Sequence, residues 1–322
     1  MPAEASGAIH DIDVNEEALA VRATGLLSHL LLDRTTGGNI IWATDHYKYL
    51  GESYAPESEI TVESVTGEHH LLIQPRVEKS KAQQWDRTKG RAEVFTPSWL
   101  CNEQNNRVDE AWFGRADVFN TVVGRTWIHR TDPIVFEGRG RRTWQNYVDE
   151  RRLEVACGEG PYLVSRYDAA MGTPISLDRR IGLLDRKLRV VTENTHSDDE
   201  WRVWARRAVE SVYGFEYQGD SLLLARENIL ATYEDFARAA LGTAPSASEL
   251  CGISTVISWN IWQMDLLTGR PPLQEDLADA SQLTLFDEQN SSAVSSCLIR
   301  DWRAKCTHTY LQLTRTEVMR HG

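Results

Sequence analysis

No stretch of the 322 residues stays apolar for anything like the roughly 18 positions a membrane-spanning helix needs. The opening residues, MPAEASGAIHDIDVNEEA, are acidic and lack the apolar core of a secretion signal. These absences argue against membrane insertion and export, and predict a cytoplasmic protein. Cysteine is sparse and scattered: Cys101, Cys157, Cys251, Cys297 and Cys306 are odd in number and form no Cys-x-x-Cys pair. That excludes a zinc-ribbon pattern and a disulfide framework, and fits reduced thiols. His69, His70 and His129 stand apart from carboxylates or thiols at ligand spacing, so no metal site is expected. Positive charge is also in deficit. The net charge of −12 argues against sequence-independent adhesion to nucleic acid over the whole surface.

What is present suffices for a large core, since 41% of residues are hydrophobic and 25% charged. The charge is uneven. Residues 76–91 hold six basic and two acidic residues, and 139–152 five and two. Such stretches suit phosphates, and equally a solvated face. Eleven tryptophans are many; Trp85, Trp112, Trp127 and Trp144 lie in or near the basic stretches. Aromatics among arginines can stack on bases, although core and interface positions are their commoner use.

Periodicity predicts an amphipathic helix over 15–33 with Asn15 as N-cap, a buried strand at 39–43, and strands at 60–65 and 70–77. A helix is expected from Ser98. The second half alternates: strand 153–157, a helix from about Tyr162, helices over 180–191 and 198–211 (capped by Asp198 or Asp199), strand 211–216, helix 221–241, strand 257–264 and a last strand at 297–302. Such alternation predicts an open, largely parallel α/β sheet.

One constellation carries chemistry. The strand LEVAC runs into Gly158-Glu159-Gly160, where glycines let a ligand approach the backbone. The next expected strand ends in Glu216, an acid placed to accept two ribose hydroxyls, and a third ends at Asp265, placed to accept from an adenine amino group. Taken singly, each has a plainer reading: a tight turn, a surface carboxylate, a turn residue.

Together they resemble the amino-methyltransferases. Glu154, Val155, Ala156, Cys157, Gly158, Glu159, Gly160, Pro161, Tyr162 and Leu163 resemble motif I, the Asp-Pro-Ala-Cys-Gly-x-Gly-x-Phe-Leu pattern. Residues 212–230 are similar to motif II, a Gly-x-Glu/Asp before a helix with an Ala-Arg-x-Asn-Leu run, and 259–269 resemble motif III. Upstream, EVFTPSWLCNEQNN (93–106) resembles motif X, the segment that folds over the methionine end of the cofactor. The resemblance spans about 93 to 269 and points to N6-adenine DNA methyltransferases, in particular short bacterial modification subunits of restriction systems. It implies a Rossmann-like α/β fold with a mostly parallel central sheet, residues 93–322 forming the cofactor-binding domain and 1–92 an N-terminal region that completes the sheet. It further implies S-adenosyl-L-methionine as cofactor, held by Phe95, Thr96, Pro97, Ala156, Cys157, Gly158, Glu159, Gly160, Tyr162, Glu216 and Asp265. DNA is the implied partner, with a specificity or restriction subunit alongside.

The family's catalytic tetrapeptide, Asp/Asn/Ser-Pro-Pro-Tyr/Phe/Trp, is missing; Pro271-Pro272 is flanked by Arg270 and Leu273. Two degenerate substitutes remain open. Asp45-His46-Tyr47 would put the catalytic half first, in a permuted order, and is the one favoured here. Asp301-Trp302 ends the expected last strand. Three functions follow: a DNA adenine methyltransferase, a catalytically silent subunit of a modification or defence complex, or a methyltransferase with an RNA or protein substrate.

Overall fold

The structure, a computed structural model, describes residues 12–22, 25–79, 96–138, 140, 142–274 and 296–314. The N-terminal amphipathic stretch forms two helices rather than one, α1 (Glu16–Arg22) and α2 (Leu26–Leu31), the second beginning after Gly25 at φ 86°. Asn15 caps the first, its Oδ1 accepting the Ala18 N–H at 2.8 Å. The three early strands expected from the sequence do not form a sheet. Residues 39–43 run past their neighbours through isolated bridges, Leu32 with Asn39 and Ile41 with Glu59. The 60–65 segment holds a short helix, α3 (Val62–Val65), because Thr61 and Ser64 close a reciprocal capping box that competes with strand pairing. The 70–77 segment is a loop entering a single turn at Arg76–Glu78, behind a proline that removes a ladder donor. Among the described residues, the N-terminal region therefore adds no strand to the central sheet.

Helix α4 (Ser98–Phe113) is where the sequence predicts it. An antiparallel hairpin, β1 (Asn120–Val123) with β2 (Thr126–His129), and a short helix, α5 (Trp144–Asp149), follow. The alternating half then begins. Strand β3 (Arg152–Val155), helices α6 (Leu183–Asn194) and α7 (Asp198–Glu210), strand β4 (Val212–Glu216), helices α8 (Gly219–Leu241) and α9 (Ala247–Asn260) and strand β5 (Ile261–Gln263) succeed one another. The strands pair in parallel in the order β3-β4-β5. The protein is thus α/β, with a three-stranded parallel sheet and two antiparallel pairs among the described residues.

Four expectations need correction. The 257–264 strand is helical up to Asn260, since Ile253, Val256 and Ile257 present one apolar helical face to the core. Ser197, not an aspartate, caps α7 by accepting the Glu200 N–H at 3.3 Å. The last strand, β6 (Leu298–Asp301), pairs with β7 (Cys306–Thr309) as a separate hairpin and not as a fourth parallel strand. No continuous helix starts at Tyr162: one turn forms at Gly160–Val164, and the chain then leaves on a loop. Helix α6 stacks on that turn, the Leu183 and Leu184 N–H groups donating to the carbonyls of Tyr162 and Leu163 at 2.8 Å each. It is one helix interrupted by an excursion.

The sheet faces differ. Helices α6 to α9 and the N-terminal α2 share one apolar cluster with Cys157, Val212 and Ile261. The opposite face of β4 and β5, with Tyr213, Phe215, Trp262 and Met264, packs on the β6–β7 hairpin and the residues flanking it, through Cys297, Ile299, Trp302 and Tyr310. The core also holds a polar network. Arg186 pairs with Asp109 at 2.5 Å and donates to Asn102 and Asn106, and Asp109 accepts the Tyr147 hydroxyl at 2.9 Å. It locks α4, α5 and α6 together through charge-assisted hydrogen bonds. No helix among the described residues is long and apolar enough to cross a membrane.

Glu227 on α8 is buried with both carboxyl oxygens lacking a hydrogen-bond partner, beside Glu16 on α1. Burial lifts Glu227 well above the ordinary value, and lifts Glu16 to about 8. The folded state then binds more protons than the unfolded one between the ordinary carboxylate range and pH 8, so stability falls as pH rises through that window. Calorimetric melting at pH 5 and pH 8 should show the higher Tm at pH 5, and Glu227→Gln should recover part of the loss at pH 8 while changing little at pH 5.

Candidate functional site

The candidate site lies at the carboxyl ends of the three parallel strands. As β3 ends, Ala156 adopts φ 50°, Gly158 53° and Gly160 77°. This alternation of left-handed residues folds the chain back on itself. Cys157 N–H still donates to Phe215 O at 2.9 Å, so the turn stays tied to β4. A Cβ at Gly158 would meet nothing within 4 Å: the turn opens on free space, and glycine is needed there for its φ.

Glu216, the last residue of β4, reaches across to this turn. Its Oε2 accepts the Gly158 N–H at 2.9 Å and its Oε1 the Gln218 N–H at 3.1 Å. Burial raises its pKa, and the N–H groups of Gln218, Gly158 and Tyr217 oppose the rise. A carboxylate has about four lone-pair sites, so Glu216 keeps acceptor capacity beyond these N–H donors. Glu154, where motif I has its aspartate, is engaged by the chain just past the turn. It is buried, is raised well above the carboxylate range by that burial, and accepts from the Tyr162 and Leu163 N–H groups at 3.4 and 3.2 Å. It braces the turn from behind.

The Ala-Arg-x-Asn run on α8 has a mechanical reading. Ala225 lies beneath the turn, its Cβ 3.7 Å from the position a Cβ on Gly160 would take. Asn228 donates to Glu159 O at 3.1 Å and to the Tyr167 hydroxyl at 3.2 Å. The Tyr167 hydroxyl in turn donates to Glu159 Oε2 at 2.8 Å, and Glu159 Oε1 accepts the Arg76 N–H at 2.7 Å. Glu159 is therefore structural in this arrangement, and Asn228 is a turn-holding residue absent from the expected set.

The Thr96-Pro97 segment also comes to the turn. Thr96 lies within hydrogen-bonding reach of Tyr162, and Thr96 O accepts from Cys101 Sγ at 3.7 Å. Pro97 is the N-cap position of α4, and Asp168 Oδ2 accepts the Ser98 N–H at 2.9 Å. Phe95 lies outside the described residues. Asp265 lies just past β5, and the intervening Met264 N–H donates to Glu216 O at 3.0 Å, so it stands near the acid. Its own carboxylate accepts the Leu267 N–H at 2.8 Å, and its main-chain N–H donates to Arg270 O at 2.8 Å. The structure thus brings Gly158, Glu216, Tyr162, Thr96 and the end of β5 to one end of the sheet.

The N-terminal region covers this end from the β5 side. The Gln263 side-chain amide clamps the Ile41 main chain in both directions, at 2.9 and 2.8 Å, and also donates to Tyr217 O. Gly219 passes so near this segment that a Cβ would stand 2.0 Å from Ile41 O. Asp45 is exposed; the Thr44 hydroxyl and His46 Nδ1 are 3.1 Å apart. Tyr47 is buried, its hydroxyl donating to Asp220 Oδ2 at 2.9 Å. Lys79 pairs with the same Asp220 oxygen at 3.2 Å, both side chains buried. Asp220 was legible as an acid in the first turn of a helix, where the dipole favours it. Lys79 carried no local signal, its partner being 141 residues away.

Other candidates have structural roles. Asp301 accepts from Arg151 at 2.9 Å and from the Arg303 and Ala304 N–H groups, and Trp302 donates to Asn260 at 2.7 Å. Of the basic stretch 139–152, Arg142 and Arg151 are paired with Glu137 and Asp301. Residues 80–91 of the other, with Trp85, lie outside the described residues. Trp127 is buried, Trp112 packs edge-on against Tyr147, and Trp144 against Trp204. His129 meets Asp178 at 3.2 Å, and no cluster of three metal-binding side chains occurs among the described residues.

No protein family, curated protein or solved structure matches the chain.

Removing one member of a buried ion pair leaves the other charge in the interior, at a cost of about 3–5 kcal/mol. Asp220→Asn should therefore lower the unfolding free energy by about that amount in urea titrations, and adding Lys79→Met should return part of the loss.

Proposed function

We propose that the chain is the S-adenosylmethionine-binding part of a DNA methyltransferase acting on the adenine N6 amino group. The observation that carries this reading is the contact between the Glu216 carboxylate and the Gly158 N–H, joining the ends of two adjacent parallel strands. In open α/β sheets a nucleoside lies across such strand ends, with a glycine turn beneath it and an acid at its ribose. The strand order supports it too, since the strands ending in the motif I turn, the motif II acid and the motif III segment are neighbours in that sequence.

The residues suit the cofactor. The open space before Gly158 would take it, Glu216 would accept the ribose hydroxyls, and the start of α4, with Thr96 and Tyr162, would border the methionine end. When bound, S-adenosylmethionine supplies an electrophilic methyl group on a sulfonium. The chain's contribution is orientation: a rigid acid at the ribose and a turn braced by Glu154, Ala225 and Asn228. Tyr47 works here as a buried support of Asp220 and leaves Asp45-His46-Tyr47 without an aromatic ring offered to a base. The missing tetrapeptide favours a second reading, a subunit that binds cofactor without transferring methyl groups on its own. An RNA or protein acceptor would use the same cofactor half.

Titration calorimetry with S-adenosylhomocysteine should show one site per chain, lost in Glu216→Ala and in Gly158→Val. Because burial raises the Glu216 pKa and binding needs the carboxylate, affinity should begin to fall at mildly acidic pH, above the usual carboxylate range. Absence of binding by the wild-type chain at neutral pH overturns the proposal. Methyl incorporation into adenine-containing duplexes by the isolated chain separates the active from the silent form.

A further inference from the structure

Helix α1 is seated on the fold by two acids. Its buried side chains are Glu16 and Leu19. Glu16 lies beside Glu227 on α8; each residue is 1% exposed, and none of the four carboxyl oxygens has a hydrogen-bond partner. Asp13 adds a third carboxylate to the neighbourhood of both. Arg166, on the loop after the glycine turn, is the cation that faces Glu227, yet it gives that carboxyl no hydrogen bond. Arg166 itself faces Asp235 and Arg180. The other polar ties of α1 are half-exposed: Arg22 pairs with Glu234 at 2.8 Å, and Glu17 accepts the Gly67 N–H at 2.7 Å. An interior carboxylate without a partner is costly, so the docked helix favours neutral carboxyls.

The next helix is anchored in another way. α2 buries Leu26, Leu27, Leu30 and Leu31, and Arg226 holds the carbonyls of Leu30 and Leu32. α1 can therefore leave while α2 stays, with Gly25 between them at φ 86°. The segment that would leave with α1 begins at Ile12. Arg166 Nη1 donates to Ile12 O at 3.2 Å and to Asn228 Oδ1 at 3.1 Å, and Asn228 donates to Glu159 O at 3.1 Å. One chain of hydrogen bonds thus runs from the N-terminal segment to the glycine turn.

We propose that α1 is a pH-operated latch on the glycine turn: it stays docked while Glu16 and Glu227 are neutral, and it lifts off α8 when they ionise, releasing the brace that Arg166 and Asn228 hold on Glu159. The docked state binds protons that the open state gives up to water. Each such proton multiplies the opening constant about tenfold per pH unit. The window runs from the ordinary carboxylate range to about 8, where docked Glu16 itself titrates, and the Glu16 contribution levels off above it. The latch acts on the turn whatever ligand the turn takes.

The test is hydrogen exchange of the full chain, read amide by amide at pH 5, 6 and 7 and corrected for the intrinsic exchange rate of each amide. The opening constant of α1 should rise at least about tenfold per pH unit, while amides in the middle of α8 open far less often at every pH. The Gly160 and Val164 amides, which donate to Cys157 O and Gly160 O, should follow α1. The double substitution Glu16→Gln with Glu227→Gln should leave an opening constant that no longer changes with pH. Should that variant not fold, the wild-type series decides alone. Four results overturn the proposal: α1 opening in the wild type is independent of pH, its pH dependence survives the double substitution, α1 is protected as strongly as α8 throughout, or the turn amides stay closed while α1 opens.

Discussion

One buried guanidinium holds the halves of the molecule together. Arg226 lies fully inside, on α8, and donates to the carbonyls of Leu30 and Leu32 at the end of α2, of Ser258 on α9 and of Ile261 at the start of β5. Burial pulls its pKa down to about 10, still far above neutrality, so it stays charged. Carbonyl oxygens solvate it in place of water, each a hydrogen bond to a charged donor. That cation ties the end of the N-terminal α2 to α9 and to the start of β5, and the Gln263 clamp on Ile41 and the Tyr47–Asp220 bond continue the same attachment over the strand ends. The position of the site's cover thus depends on a residue that touches no part of the site.

Two local devices, one of side chain and one of main chain, replace what a longer sheet would supply. The Gln263 amide gives Ile41 both a donor and an acceptor, as a neighbouring strand would, at one residue only. The interrupted helix after the glycine turn does something similar. Its first turn ends at Val164, and α6 resumes the axis by donating to the carbonyls left open there. The excursion between them is not idle, for it carries Tyr167, which braces Glu159, and Asp168, which caps α4. The turn, the Thr96-Pro97 segment and the helix are therefore set by one loop.

The sequence was most legible where a pattern reports a local backbone state. The strand before Gly158, the strand ending in Glu216, and helices α4, α6, α7 and α8 follow from hydrophobic period and turn residues alone. It was least legible in residues 39–77. There, short apolar runs such as NIIWA satisfy a strand pattern, but capping by Thr61 and Ser64 and tertiary clamping by Gln263 decide the outcome. Among the site residues, Gly158 and Glu216 were evident from spacing. Asn228 was visible within a motif without a stated role, and Lys79 was invisible, because a buried ion pair across 141 residues leaves no trace in its neighbours. Asp265 shows the opposite case: a carboxylate at the right strand end, spent in part on closing its own turn.

The long reach of the N-terminal cover has a consequence for biosynthesis. Tyr47 finds Asp220 173 residues later, and Ile41 finds Gln263 222 residues later. The leucines of α2 and the aromatic ring of Trp42 leave the ribosome first, yet the surfaces that shelter them are made last. Contacts that distant form late, and exposed apolar segments in the interval are what chaperones hold. A nascent chain stalled before α8 would carry a finished lid with nothing to close.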